Sequence, residues 1–251
     1  MKNQAFASEL EAGIRPLVIA TACRVRVGKV KRALCQGSLL LILLLTTGCA
    51  SETLFQSNFD ATALNQPPAH AQAVGTATIE GGVLVAAIPD TNLKGVRFSR
   101  ISSSNFAVLH CDLSQPPRDG TYVFSTVLFL PSGSGGIVTI QFEKAGGGEH
   151  FLHVDLLPGG SLRIDDDPST IFGHFPRDQV FIVEVTLNIN PSSPNAHVVL
   201  SGAGASGEAN RNVSPELRTI AQQFGAVRIS TDLAADQSTF FATNIVVTRK
   251  L

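Results

Sequence analysis

The chain has 251 residues, 44% of them hydrophobic and 16% charged, with a formal net charge of −1. That balance excludes a disordered polyelectrolyte and argues against electrostatic nucleic-acid binding, which needs a basic surface. With no Trp and one Tyr against 15 Phe, the aromatic content suits a core better than a wet surface.

The N-terminal part carries Arg24, Arg26, Lys29, Lys31 and Arg32, then the apolar run 39–45, then Thr46, Thr47, Gly48 and Cys49. The run is far too short to cross a bilayer, which takes about 20 residues. A basic stretch, a short apolar stretch and small residues are the layout of an export signal. Residues 1–29 are long for the basic part of such a signal and contain Glu9 and Glu11. Val30 or Val25 is therefore an alternative start of the chain. Residues 1–48 hold seven of the 19 Lys/Arg and two of the 20 Asp/Glu, which leaves 12 basic and 18 acidic residues, a net charge of −6.

The stretch Leu45-Thr46-Thr47-Gly48-Cys49 resembles the lipobox of bacterial lipoproteins. The resemblance implies that Cys49 becomes the first residue of the mature protein. It would carry a thioether-linked diacylglycerol and an N-acyl chain such as palmitate. Two or more acyl chains give a stable anchor, at about 0.8 kcal/mol per buried CH₂. Ala50 after the cysteine is similar to the outer-membrane sorting pattern of Gram-negative lipoproteins. The expected organisation is a signal peptide over 1–48, a lipidated N-terminus and spacer over 49–55, and one β-sandwich domain over 56–251.

Beyond the anchor, residues 54–60 read as a first strand and 65–73, rich in Pro and Ala, as a loop. Strands over 76–80 and 83–88 flank Gly81-Gly82, a hairpin signal. Strands follow over 95–101, 106–113 and 122–130. The segment 137–143 alternates, with Val138, Ile140 and Phe142 on one face. After Gly146-Gly147-Gly148, residues 151–156 alternate too, with Leu152, Val154 and Leu156 inward and Phe151, His153 and Asp155 outward. A short strand over 161–165 comes next. Residues 180–189 form the clearest strand and turn into 196–201. Residues 202–212 read as a small-residue loop. Ser214-Pro215 opens one helix near 215–224, with Leu217, Ile220, Ala221 and Phe224 on its apolar face and Gly225 as its stop. Strands over 226–231 and 239–249 close the chain.

A dozen short strands without strand–helix alternation predict an all-β, antiparallel two-sheet sandwich. On LFQSNFD, GGSLRIDD, VFIVEVTLNI with AHVVLSG, and FFATNIVVTR, the mature chain resembles the concanavalin A-like lectin/glucanase jelly roll. That resemblance implies a fold and several possible roles: glycan-binding modules, glycoside hydrolases and polysaccharide lyases. The fold alone does not choose among them.

Three groups of side chains are candidates for chemistry. Pairing of 137–143 with 151–156 would set Gln141, Glu143, Glu149, His153 and Asp155 on one polar face, as a ligand-binding surface or, through Glu143, Glu149, His153 and Asp155, for acid–base work on a glycoside. The Glu-X-Asp-X-X-Glu motif of the family-16 glucanases is absent. Asp165, Asp166 and Asp167 at a strand end offer oxygen ligands for calcium. His150 and His153 fall on opposite faces of a regular strand and so share no metal. With Cys23 and Cys35 in the signal and Cys49 lipidated, Cys111 has no disulfide partner and is expected buried and inert. The expectation is a lipid-anchored cell-envelope protein, placed in a Gram-negative outer membrane, whose sandwich binds a glycan or an envelope protein or serves structurally. The alternative is a carbohydrate-active enzyme.

Overall fold

The computed structural model describes residues 50–100, 107–231 and 238–251; Cys49 and the expected export signal over 1–48 lie outside them. In chain order the strands are β1 (Ser51–Ser57), β2 (Thr76–Gly81), β3 (Val83–Ala87), β4 (Lys94–Arg100), β5 (Ala107–Asp112), β6 (Gly120–Phe129) and β7 (Val138–Lys144). They continue with β8 (His150–Leu156), β9 (Leu162–Ile164), β10 (Val180–Ile189), β11 (Asn195–Gly202) and β12 (Gly207–Asn212). A 3₁₀ turn at Pro215–Leu217 leads into the helix α1 (Arg218–Ala221), then β13 (Phe224–Thr231) and β14 (Ser238–Lys250).

The strands form two antiparallel sheets, a jelly-roll sandwich. One runs β12-β11-β10-β6-β14-β4-β3, with β1 also on β14; the other runs β2-β5-β13-β7-β8-β9. We call them sheets A and B. β14, 13 residues long, lies along β6 on one side and meets β4 and then β1 on the other.

Inward residues of both sheets make one core. Phe181, Val183, Val185, Leu187 and Ile189 line sheet A, as the period-2 pattern of β10 requires. Val138, Ile140 and Phe142 line sheet B. Phe142, Phe151 and Phe224 pack as an aromatic group, and Phe98 stacks on Phe240 at 4.1 Å. Each fully buried Phe contributes about 1.5–3 kcal/mol through burial. Cys111 sits in this core with Ala107 and Leu109, and burial pushes its thiol pKa well above the ordinary range.

Five local readings differ from the structure. β1 begins at Ser51, inside the stretch expected as a spacer, because Ser51 pairs with Lys250. Gly81-Gly82 does not make a hairpin: β2 pairs with β5 in sheet B and β3 with β4 in sheet A. The glycines carry the chain from one sheet to the other, and a Cβ on Gly82 would lie 2.2 Å from the Ser99 carbonyl oxygen. The polar segment 207–212, expected as loop, is the edge strand β12, held by its register with β11. The predicted helix over 215–224 shortens to the 3₁₀ turn and the four residues of α1. Phe224 and Gly225 enter β13 instead, where Gly225 lies against Ala145.

The fifth difference shapes the site. β7 and β8 pair from Val138–Leu156 to Phe142–Leu152, after which Glu143 faces His150. Phe151 is the extra residue of a β-bulge. Its ring turns into the core, 1% exposed, instead of outward. Beyond the bulge the alternation is inverted, so His150 and His153 share the outer face.

Candidate functional site

The outer face of sheet B carries polar side chains in register across its strands. Thr78, His110, Arg228, Gln141 and His153 are successive cross-strand neighbours over β2, β5, β13, β7 and β8. Asp165, just past β9, extends this row through its backbone N–H to the His153 carbonyl, 3.1 Å. The next row reads Ser230, Thr139, Asp155 and Arg163 over β13, β7, β8 and β9. A third places Glu143 opposite His150. Between these rows lies a depression of about 240 Å³, with Gln141, His150, His153, Asp155, Arg163 and Arg228 among its walls.

The electrostatics are tightly paired. Asp155 lies on an outward face yet is 3% exposed. Thr139 Oγ1 donates to its Oδ1 at 2.8 Å, and Arg163 donates to its Oδ2 through Nη2 at 2.8 Å and Nε at 3.3 Å. Arg163 Nη2 also bonds Asp166 Oδ1 at 2.5 Å. His153 presents Nε2 to Asp166 Oδ2 at 3.2 Å and to Asp155 Oδ2 at 3.8 Å. Its backbone N–H donates to Asp165 Oδ1 at 3.0 Å, while the buried ring Nδ1 has no hydrogen bond. Arg228 donates to Gln141. Desolvation against the sheet, then the neighbouring His153, lower the pKa of His150.

The structure therefore brings Gln141, His153 and Asp155 together, as the pairing of the two segments implies. It sets Glu143 apart. That carboxylate is 3% exposed, with His110 Nδ1 3.7 Å from Oε2, and Oε2 accepts no hydrogen bond. Glu149 stands outside the depression in an ion pair with Lys144. Of the three aspartates, Asp166 pairs with Arg163 while Asp165 and Asp167 share Arg211. Asp165 and Asp166 both take positive φ, of 53° and 56°, a conformation aspartate tolerates in turns. Arg211 of β12 bonds Asp165 Oδ2 at 3.1 Å and Asp167 Oδ2 at 3.3 Å, closing sheet A against the edge of sheet B. Asp167 also caps a second 3₁₀ turn, Pro168–Thr170, where its Oδ1 accepts from the Ser169 N–H at 2.9 Å.

Wall residues not foreseen include His150, Arg163, Arg228 and Thr139. Arg228 and Thr139 carry an ordinary strand alternation and were findable from it. His150 was hidden by the bulge.

No family model matches the sequence, and no curated protein matches it. Solved structures share the fold. The binding domain of botulinum neurotoxin DC superposes with a TM-score of 0.50 at 11% identity, over 79% of this chain and 47% of that one. The chain thus spans about half of that toxin structure. Lectin II from Ulex europaeus gives a TM-score of 0.48 at 12% identity, over 80% of this chain and 99% of the lectin. Arcelin-5, a lectin-like defense protein from Phaseolus vulgaris, gives 0.46 at 8% identity, over 80% and 98%. At such identities the likeness is one of fold, and the class is a lectin-like jelly-roll sandwich.

Proposed function

We propose that the chain is a lipid-anchored cell-envelope protein whose sandwich binds a glycan, without catalysis, in the depression on the outer face of sheet B. The observation that carries the reading is the buried, hydrogen-bonded Asp155 at the floor of that depression. Burying a charge on an outward face is costly unless partners fix it. Here Thr139 and Arg163 do so, and the result is a rigid polar surface of about 240 Å³ with imidazole, guanidinium, amide and hydroxyl groups.

Such a surface matches the dense hydroxyls of a sugar ring. The Tyr122 ring is in the core, bonded to the Arg118 carbonyl, so recognition would run through hydrogen bonds rather than stacking. The toxin domain of this fold is in complex with SialylT. A fold hosts many functions, so the weight rests on the site. Binding is favoured over glycoside hydrolysis because Asp155 is committed to Arg163 and Glu143 is buried behind His110. A hydrolytic pair instead faces one scissile bond from two sides. The lipid reading rests on the basic segment, the apolar run and Cys49.

A glycan array probed with the mature domain tests the ligand. Binding to at least one glycan should fall tenfold or more in Arg228→Ala and in Gln141→Ala, with thermal midpoints close to the parent. No binding to any glycan would sink the reading. So would hydrolysis of a polysaccharide that is lost in Glu143→Gln or Asp155→Asn.

A further inference from the structure

We infer that His153, Asp155 and Asp166 form a site for a first-row transition-metal ion of the zinc type, with His150 as a fourth ligand. The inference stands whether or not a glycan binds nearby.

One ligand atom from each of His153, Asp155 and Asp166 falls within 4.8 Å of the others. His153 Nε2 is 3.2 Å from Asp166 Oδ2 and 3.8 Å from Asp155 Oδ2. An ion about 2.1 Å from each atom would see those pairs at angles of about 100° and 130°, which bracket the tetrahedral value.

The surroundings of the cluster are those of a held ligand set. Carboxylates that ligate metals are themselves hydrogen-bonded from outside. Thr139 fixes Asp155 Oδ1, and Arg163 bridges Asp155 Oδ2 and Asp166 Oδ1. Asp166 Oδ2 is left toward His153, whereas Asp155 Oδ2 already accepts from both Nη2 and Nε of Arg163, so an ion there would displace the longer Nε contact at 3.3 Å. The His153 ring lies among the carboxylates of Asp155, Asp165 and Asp166, and its buried Nδ1, 3.8 Å from Asp165 Oδ1, makes no hydrogen bond.

The fourth ligand comes from the bulge at Phe151. On a regular strand His150 would face the core. Here its ring centroid lies 5.3 Å from that of His153, and the side chain is exposed enough to rotate onto the ion. An imidazole pair with two carboxylates suits zinc and its neighbours. Calcium needs six to eight oxygens, and two carboxylates do not supply them.

The test uses chelator-treated mature domain and the metal ion alone. Zn²⁺ at about 100-fold over its Kd should raise the thermal midpoint by about 5–10 °C. Ca²⁺ should leave it unchanged. The rise should vanish in His153→Gln and in Asp166→Asn, which keep the Asp155–Arg163 pair. Co²⁺ should give a tetrahedral visible spectrum that weakens in His150→Gln and is lost in His153→Gln. No rise with Zn²⁺ would overturn the inference. An equal rise in both variants, or an equal rise with Ca²⁺, would overturn it as well.

Discussion

An aromatic ring next to charged side chains on a sheet has two options, and Phe151 takes the core. It packs against Phe142 and Phe224, with centroids 6.5 and 5.7 Å away. Truncation would leave a cavity among rings that cannot collapse into it. Phe151→Ala should therefore lose about 3–5 kcal/mol of unfolding free energy in a denaturant titration. A loss under 1 kcal/mol would mean that the ring faces water and that the strand is regular. The same residue marks the limit of what could be read from the chain. Hydropathy alternation places Leu152, Val154 and Leu156 inward, and so they are. It has no means of announcing an extra residue, because a bulge is fixed by the partner strand and by the turn that precedes it. Gln141, His153 and Asp155 were legible as one cluster because they lie on the regular side of the bulge. His150 was not, since its face depends on one unpaired residue.

Elements show the same division between local pattern and distant partner. β10 and β11 match their expected bounds closely, since each carries its own alternation. β12 has little hydrophobic signal and exists as a strand because β11 offers it an edge. The Gly81-Gly82 pair is the instructive case. Two glycines between apolar runs signal a change of direction, and sequence cannot say whether the second strand returns to the first or leaves for the other sheet. Here it leaves, and Gly82 passes so close to Ser99 that a methyl group has no room. Gly82→Ala should cost about 1–3 kcal/mol through the forced backbone shift. A hairpin position open to solvent would instead tolerate alanine within about 0.5 kcal/mol. Equilibrium unfolding of this single variant separates the two connections.

At the scale of the whole molecule, the proposed anchor and the fold meet with almost no slack. Ala50 accepts a hydrogen bond from the Leu251 N–H at 2.8 Å, and β1 starts at the next residue. A lipid on Cys49 would be attached one residue from the sandwich. Lipidation and β1 together then turn one rim of sheet A toward the bilayer, the rim holding Ser51, Lys250, Thr121 and the β10–β11 turn. The opposite rim, beyond Phe129, stands a ten-residue strand away, about 33 Å. A fluorophore on a cysteine introduced at Ser192, in the β10–β11 turn, should be quenched by spin-labelled lipid, and one at Ser132 should not. Cys111 does not interfere, because its thiol is buried. Equal quenching at both sites would mean a freely swinging domain, and stronger quenching at Ser132 would invert it. Cys49→Ser should move the protein from the membrane to the soluble fraction; retention at the membrane would remove the lipid from the account and leave the sandwich as it stands.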